Sequence, residues 1–214
     1  MRLVKSVVVT GGTTRLGLAI SARLREDGWL VITSSHRSDS GADVIADLSE
    51  PLGAAKLYSA ACEALGGNAP DALVNNAALF TGDAEVLNAV NFEAPRKLAQ
   101  MMAGRETGVG SVVNMLDSRI LADGGDGGAY AESKRRLMEW TRKGAAMFID
   151  TLRMNAVAPG PVMPPVGVHE AAGETPLGRP TPEDVASAVA FLLSAERTSG
   201  CVIPVDGGQF LAAF

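Results

Sequence analysis

The sequence predicts an α/β fold, a doubly wound domain whose mostly parallel sheet carries seven strands. Two observations lead to it. Strand-like and helix-like stretches alternate from one end of the chain to the other, and the strand-like runs are apolar on both faces. No repeat or linker interrupts the alternation, so the 214 residues read as a single domain, 1–214. Composition agrees. With 47% hydrophobic and 20% charged residues the chain is neither disordered nor low-complexity in character, and it can bury a sizeable core. A formal net charge of −5 without a basic block argues against nucleic acid or anionic membrane as partner. No apolar run reaches the ~18 residues of a membrane span, and residues 1–5 lead straight into a strand-like run rather than a signal peptide. The expected location is cytoplasmic. Cys62 and Cys201 lack a CxxC-type spacing and read as buried thiols rather than a disulfide.

The β-branched run 4–10 is the first strand, closed by Gly11-Gly12, and 15–27 carries apolar residues at helical spacing. Strands follow at 29–34 and 43–46. Only eight residues, 35–42, join these two, where a parallel crossover ordinarily needs a dozen or more, so either its helix shrinks to a turn or loop or the strand ends lie two to four residues from these positions. A helix over 51–65 stops at Gly66-Gly67. Next come a short buried strand at 72–75, a long helix over 85–105 despite its Pro95, and a strand at 111–115. A helix over 130–148, a strand at 151–157, a helix over 182–195 and a strand at 201–205 complete the pattern.

Chemistry concentrates where strands end. Thr10-Gly11-Gly12-Thr13-Thr14-Arg15-Leu16-Gly17 follows the first strand and opens the first helix. Glycines there permit a tight turn and close backbone approach to a pyrophosphate at the positive helix N-terminus. At the end of the second strand an acid would bind the ribose 2′-hydroxyl of NAD, but the residues are Ser34-Ser35-His36-Arg37-Ser38. A cation with flanking donors suits a 2′-phosphate, which points to NADPH. Asp39, just beyond, is the residue that opposes this assignment. Tyr130 and Lys134 stand at i and i+4 on one helix face, after the fifth strand. An ammonium near a phenol lowers its pKa from about 10, so Tyr130 is expected to deliver a proton near neutral pH.

Over nearly its whole length the sequence resembles the short-chain dehydrogenase/reductase family. The resemblance rests on the turn 10–17, Asp47, Asn75-Asn76-Ala77-Ala78, Asn91, Tyr130 with Lys134, Asn155 through Pro159-Gly160, and Val205-Asp206-Gly207-Gly208. It implies a Rossmann-like domain and hydride transfer to C=O or C=N with Tyr130 as proton donor. Lys134 would hold the nicotinamide ribose and Asn91 would support a relay water. Implied cofactor contacts are Gly11, Thr14, Arg15, Leu16 and Gly17 in the turn, then His36, Arg37, Ser38, Asp47 and Leu48. Asn75, Asn76, Ala77, Tyr130, Lys134, Pro159, Gly160 and Val162 complete that set.

Three departures sharpen the resemblance. Arg15 replaces the middle glycine of the turn, Asp117 stands thirteen residues before the tyrosine where a serine is usual, and the phosphate loop reads His36-Arg37-Ser38. Together they are similar to the pteridine reductase and dihydromonapterin reductase branch, which implies a pterin or dihydropterin substrate held by Arg15, Phe80, Asp117 and Tyr130. A one-residue shortening of the 118–129 loop would instead make Ser118 the catalytic hydroxyl of a carbonyl or 3-oxoacyl reductase. A third reading is a non-catalytic NADPH-binding regulatory module, which the intact Asn91, Tyr130 and Lys134 oppose. Pro161 to Gly178 reads as the loop that sets substrate choice, with His169 and Glu170 as candidate contacts, and the glycine-rich stretch 124–128 reads as mobile. Neither His36 nor His169 has partners at metal-ligand spacing, so no metal is expected. The long helices are apolar on more than one face and the family pairs them, so a homodimer or homotetramer is expected.

Overall fold

A computed structural model describes residues 4–106, 108–121, 128–164 and 175–211. The strands are β1 (Ser6–Thr10), β2 (Leu30–Ser35), β3 (Val44–Ile45), β4 (Ala72–Asn75), β5 (Gly110–Met115), β6 (Leu152–Pro159) and β7 (Val202–Val205). They form one parallel sheet in the order β3-β2-β1-β4-β5-β6-β7. The helices are α1 (Arg15–Glu26), α2 (Gly53–Ala64), α3 (Ala84–Asn88), α4 (Ala94–Ala103), α5 (Ala129–Met147) and α6 (Pro182–Ser194). The predicted seven-stranded doubly wound architecture is the one observed.

Period-two alternation feeds two cores, one on each face of the sheet. Val7 and Val9 of β1 join Ile20 and Leu24 of α1 and Val185, Val189 and Leu192 of α6. Val8, between them, faces the other way and joins Leu57 of α2, Leu98 and Met102 of α4, and Met154 of β6. Burial on both faces explains why the strands read as unbroken apolar runs.

The connection between β2 and β3 contains no helix, one of the two outcomes its length allowed. β3 is shorter than the expected 43–46 for a local reason. The Asp43 carboxylate accepts from the Thr33 N–H at 2.8 Å and the Thr33 hydroxyl at 2.7 Å, so a side chain takes the place of a strand partner. The predicted helix 85–105 is divided into α3, a π-helical turn (Ala89–Glu93) and α4. Pro95 falls in the first turn of α4, where its missing N–H costs little. Cys62 and Cys201 are free thiols and half-buried, not fully buried as expected.

The far end of the sheet is fixed by polar clamps. Arg153 donates to the carbonyls of Leu192, Leu193, Ala195 and Thr198 at 2.8–3.2 Å, satisfying groups that the end of α6 leaves without partners. Asn155 bridges the Thr198 carbonyl and the Cys201 N–H. At its start, α6 has a capping box, Thr181 Oγ1 accepting from Asp184 N–H and Asp184 Oδ2 from Thr181 N–H. Thr181→Ala is expected to lower stability by about 1 kcal/mol in urea denaturation. An unchanged midpoint would refute that contribution.

Candidate active site

The exits of β1 and β4 are locked together. Thr10 Oγ1 accepts from the N–H groups of Asn76 and Ala77, both at 2.9 Å, while Asn76 Nδ2 donates to the carbonyls of Thr10 and Gly11. The turn between β1 and α1 is pressed against this clip. Gly11 adopts φ +61°, and a Cβ on Gly17 would stand 2.0 Å from the Gly11 carbonyl oxygen and 2.7 Å from Asn76 Nδ2. Thr14 is the exposed N-cap residue of α1, its hydroxyl caps nothing, and the first turn holds no acid. That leaves the positive helix end free to meet an anion. Leu16 packs against the core below.

Arg15 takes a left-handed backbone, φ 51°, the only non-glycine residue among those described with positive φ. This is the conformation that a glycine would adopt without strain. Its guanidinium donates to the Pro164 carbonyl at 2.7 Å and reaches Met163 at 3.5 Å, tying the turn to the chain beyond β6. Pro159 ends β6, Gly160 donates to the Val205 carbonyl at 2.9 Å, and Val162 is buried beside them.

His36, Arg37 and Ser38 lie exposed just past β2. Arg37 forks onto Asp39, Nε to Oδ1 at 3.0 Å and Nη2 to Oδ2 at 2.8 Å, and this contact holds the Asp39 carboxyl below its ordinary pKa. The acid that opposed a phosphate assignment is therefore already paired with the cation that supports it. Asp47 is exposed after β3 and accepts from the N–H and hydroxyl of Ser49, bonds that lower its pKa, with a smaller push from His36. Leu48 follows, half-buried. The Asn75 side chain points inward instead, donating to Asn114, which donates to Thr141.

At the end of β5 the chain brings the predicted catalytic residues together. The Tyr130 hydroxyl donates to Asp117 Oδ2 at 3.0 Å. Ser118, one position on, is 1% exposed, and its hydroxyl has no hydrogen-bond partner. Phe80, largely exposed, stacks on the Tyr130 ring with centroids 5.0 Å apart. Lys134 is buried and donates to the Met115 carbonyl at 2.8 Å, with Nζ 5.9 Å from the Tyr130 ring centre. Burial pushes Lys134 down to about 8, with the Asp117 charge pulling the other way.

The expected lowering of the Tyr130 pKa does not occur. Burial first, then the charge and hydrogen bond of Asp117, hold the phenol well above its ordinary value. Asp117 itself is penalised by burial, yet Arg119 outweighs this and its pKa is lowered. Asn91 lies in the π-helical turn and is 1% exposed. It both accepts from Leu79 N–H and donates to Leu79 carbonyl at 2.8 Å, and reaches Ser133, whose hydroxyl donates to the Tyr130 carbonyl at 2.6 Å. The π turn thus fixes both the Phe80 loop and the start of α5.

Two members of the site escaped sequence reading, Ser133 and Arg119. Arg119 stands two residues past Asp117, a spacing that lets a loop side chain fold back, and its Nε and Nη2 grip the carboxylate at 3.0 and 2.9 Å. His169, Glu170 and the stretch 124–127 lie outside the described residues. Among those described, no group of three or more His, Cys, Asp or Glu is placed to hold a metal, and no helix is long and apolar enough to cross a membrane. A cavity of about 420 Å³ lined by Gln100, Gly104, Met147 and Thr151 lies at the opposite end of the sheet, where β6 begins.

Comparison with known proteins agrees with this fold. Residues 13–209 match the family model described as Enoyl-(Acyl carrier protein) reductase. The chain is 32% identical to the Granaticin polyketide synthase putative ketoacyl reductase 2 of Streptomyces violaceoruber, over 95% of each chain. It is 28% identical to a probable 2,4-dienoyl-CoA reductase of Bacillus subtilis, over 97% of each. The crystal structure of FolM alternative dihydrofolate reductase 1 from Brucella canis, complexed with NADP, superposes with a TM-score of 0.86 at 31% identity, covering 98% of this chain and 96% of that one. Its Brucella suis counterpart, also with NADP, gives 0.84 at 30% identity, covering 97% and 95%.

Proposed function

The chain belongs to the short-chain dehydrogenase/reductase family of oxidoreductases, and from that membership we propose that it is an NADPH-dependent reductase of a pterin, dihydropterin or related flat heterocycle. One observation carries the proposal. The phenol of Tyr130 is hydrogen-bonded to a carboxylate, Asp117, beside an exposed aromatic ring, Phe80. A carboxylate offers paired acceptors to the N–C–N edge of a pterin, a role a serine hydroxyl fills less well. The two Brucella neighbours with NADP add weight from outside the chain.

The residues present fit a dinucleotide phosphate. The turn is tight at Gly11, which has a left-handed backbone, and closed to a side chain at Gly17, as close backbone approach to a pyrophosphate requires, and α1 presents an uncapped start. Arg37 with His36 and Ser38 would hold the 2′-phosphate, Asp47 and Leu48 the adenine, and the backbone of Asn75, Asn76 and Ala77 the adenosine side. Lys134 would meet the nicotinamide ribose. When bound, the cofactor supplies a hydride to the carbon of the substrate C=N bond. Tyr130 gives its proton to the nitrogen, so the bond gains one hydride and one proton. Asp117 orients the ring, and the Lys134 ammonium stabilises the phenolate left behind. Arg15 would meet the pterin carbonyl and Phe80 would cover the ring, worth about 0.5–1.5 kcal/mol beyond area burial.

A second reading rests on the buried, unpartnered Ser118 hydroxyl and the ketoacyl reductase relative. It makes the enzyme a carbonyl or 3-oxoacyl reductase. NADPH oxidation, followed by absorbance in parallel with NADH, tests both against dihydropterins, dihydrofolate, quinonoid dihydropterin and simple ketones. Pterin turnover with NADPH preferred is the expected result. Ketone turnover alone would sink the pterin assignment. Asp117→Ala is expected to lower pterin turnover by about 10²–10⁴-fold. If ketone turnover survives that change while pterins are inert in the wild type, Ser118 is the third residue.

A further inference from the structure

The carboxylate of Asp117 is full. Oδ1 accepts from the Arg119 N–H and from Arg119 Nε, both at 3.0 Å, and Oδ2 accepts from Arg119 Nη2 at 2.9 Å and from Tyr130 at 3.0 Å. Two oxygens offer about four lone-pair sites, and four donors occupy them. No acceptor remains for a substrate. The Arg119 guanidinium also lies over the Tyr130 ring, 5.5 Å from its centre. Its grip is a parallel fork, the geometry in which any guanidine-like N–C–N edge meets a carboxylate.

The partners differ in anchorage. The Asp117 side chain is 12% exposed and held by the backbone of its own turn, whereas the Arg119 side chain is 62% exposed at the end of a flexible stem. An ion pair open to water on the cation side is weak enough to exchange. The backbone N–H of Arg119 remains on Asp117 when the fork leaves, and the Tyr130 hydroxyl does so until it turns to the substrate nitrogen.

We propose that Arg119 is a specificity-determining residue, a displaceable occupant whose N–C–N edge holds the place of the substrate's own. Binding is an exchange of one fork for another, so a ligand lacking two adjacent N–H donors gains nothing to replace what it displaces. The inference deepens the pterin reading and rests on it for the identity of the ligand.

The test uses wild type, Arg119→Met, which keeps the apolar stem and loses the fork, and Arg119→Lys, which keeps the charge without the fork, all saturated with NADP⁺. Arg119 is exposed, so the variants should fold. Binding of pterin, 2-amino-4-oxopteridine, is compared with that of lumazine, which has a carbonyl in place of the 2-amino group. Arg119→Met is expected to bind pterin about five- to tenfold more tightly, to change lumazine affinity by less than about twofold, and to leave Arg119→Lys in between. Weaker or unchanged pterin binding in Arg119→Met would overturn the proposal, because Arg119 would then support the bound state. Methylguanidinium gives a readout independent of the pterin assignment. It should raise the Tm of Arg119→Met, whose carboxylate is open, and leave wild type unmoved. If neither protein binds pterin yet methylguanidinium selects Arg119→Met, the substrate reading fails and the exchange stands. If methylguanidinium does not discriminate, the exchange fails.

Discussion

Tyr130→Phe is expected to lower turnover by about 10²–10⁴-fold while NADPH affinity stays within about twofold. The substitution removes one oxygen and leaves the ring in contact with Phe80 and the Arg119 guanidinium. Asp117 keeps three of its four hydrogen bonds, so the loop and the fold should be undisturbed. Burial and the neighbouring carboxylate keep the phenol protonated across the neutral range in the ligand-free protein. Its proton is therefore available when the substrate arrives, and no other described donor occupies that position. Steady-state NADPH oxidation together with a fluorescence titration of NADPH measures both quantities. Retained turnover would remove Tyr130 from the reaction.

Gly17→Ala is expected to abolish measurable NADPH binding and to cost about 1–3 kcal/mol of stability. The added methyl would sit 2.0 Å from the Gly11 carbonyl oxygen and 2.7 Å from Asn76 Nδ2. Neither atom can retreat freely. Gly11 is bent into a left-handed turn, and Asn76 Nδ2 is bonded to both Thr10 and Gly11. Relief must break the clip between β1 and β4 or rotate α1 away from the sheet. NADPH titration and urea denaturation on the same preparation test the claim, and native affinity in the variant would show that the turn has slack.

The fold was legible because its signal is periodic. Runs such as Val7-Val8-Val9, buried on both faces, and the glycine turn before Arg15 specify a parallel sheet without tertiary knowledge. Boundaries erred where a side chain substitutes for backbone, as Asp43 does for a strand partner of Thr33. The π-helical turn at Ala89–Glu93 has no periodic signature, so the long helix appeared unbroken. In the candidate site, the i, i+4 spacing pointed to Tyr130 and Lys134 and the family resemblance to Asp117, and the hydrogen bond of Tyr130 falls on Asp117 rather than Ser118. The electrostatics were not legible. Sequence places Lys134 one turn from Tyr130, but only geometry reveals that Lys134 gives one N–H to the Met115 carbonyl and that burial, then Asp117, raises the phenol. Arg119 was invisible for a related reason, since a loop cation two residues from an acid usually faces solvent.

The strand order has a kinetic consequence. No neighbouring strands in the sheet are joined by a hairpin, and the central pair β1 and β4 is held at its start by Ser6 and Asp71, 65 residues apart. Loop closure of that length must precede the reward of pairing, which slows folding relative to chains built from local contacts. During synthesis β1 and β2 can associate early, but the Thr10 to Asn76 clip cannot form until β4 has emerged. The proposed nucleotide cradle therefore comes into being only with the long-range closure of the sheet. A ligand that grips both lips of it stabilises the completed molecule and has no purchase on its precursors.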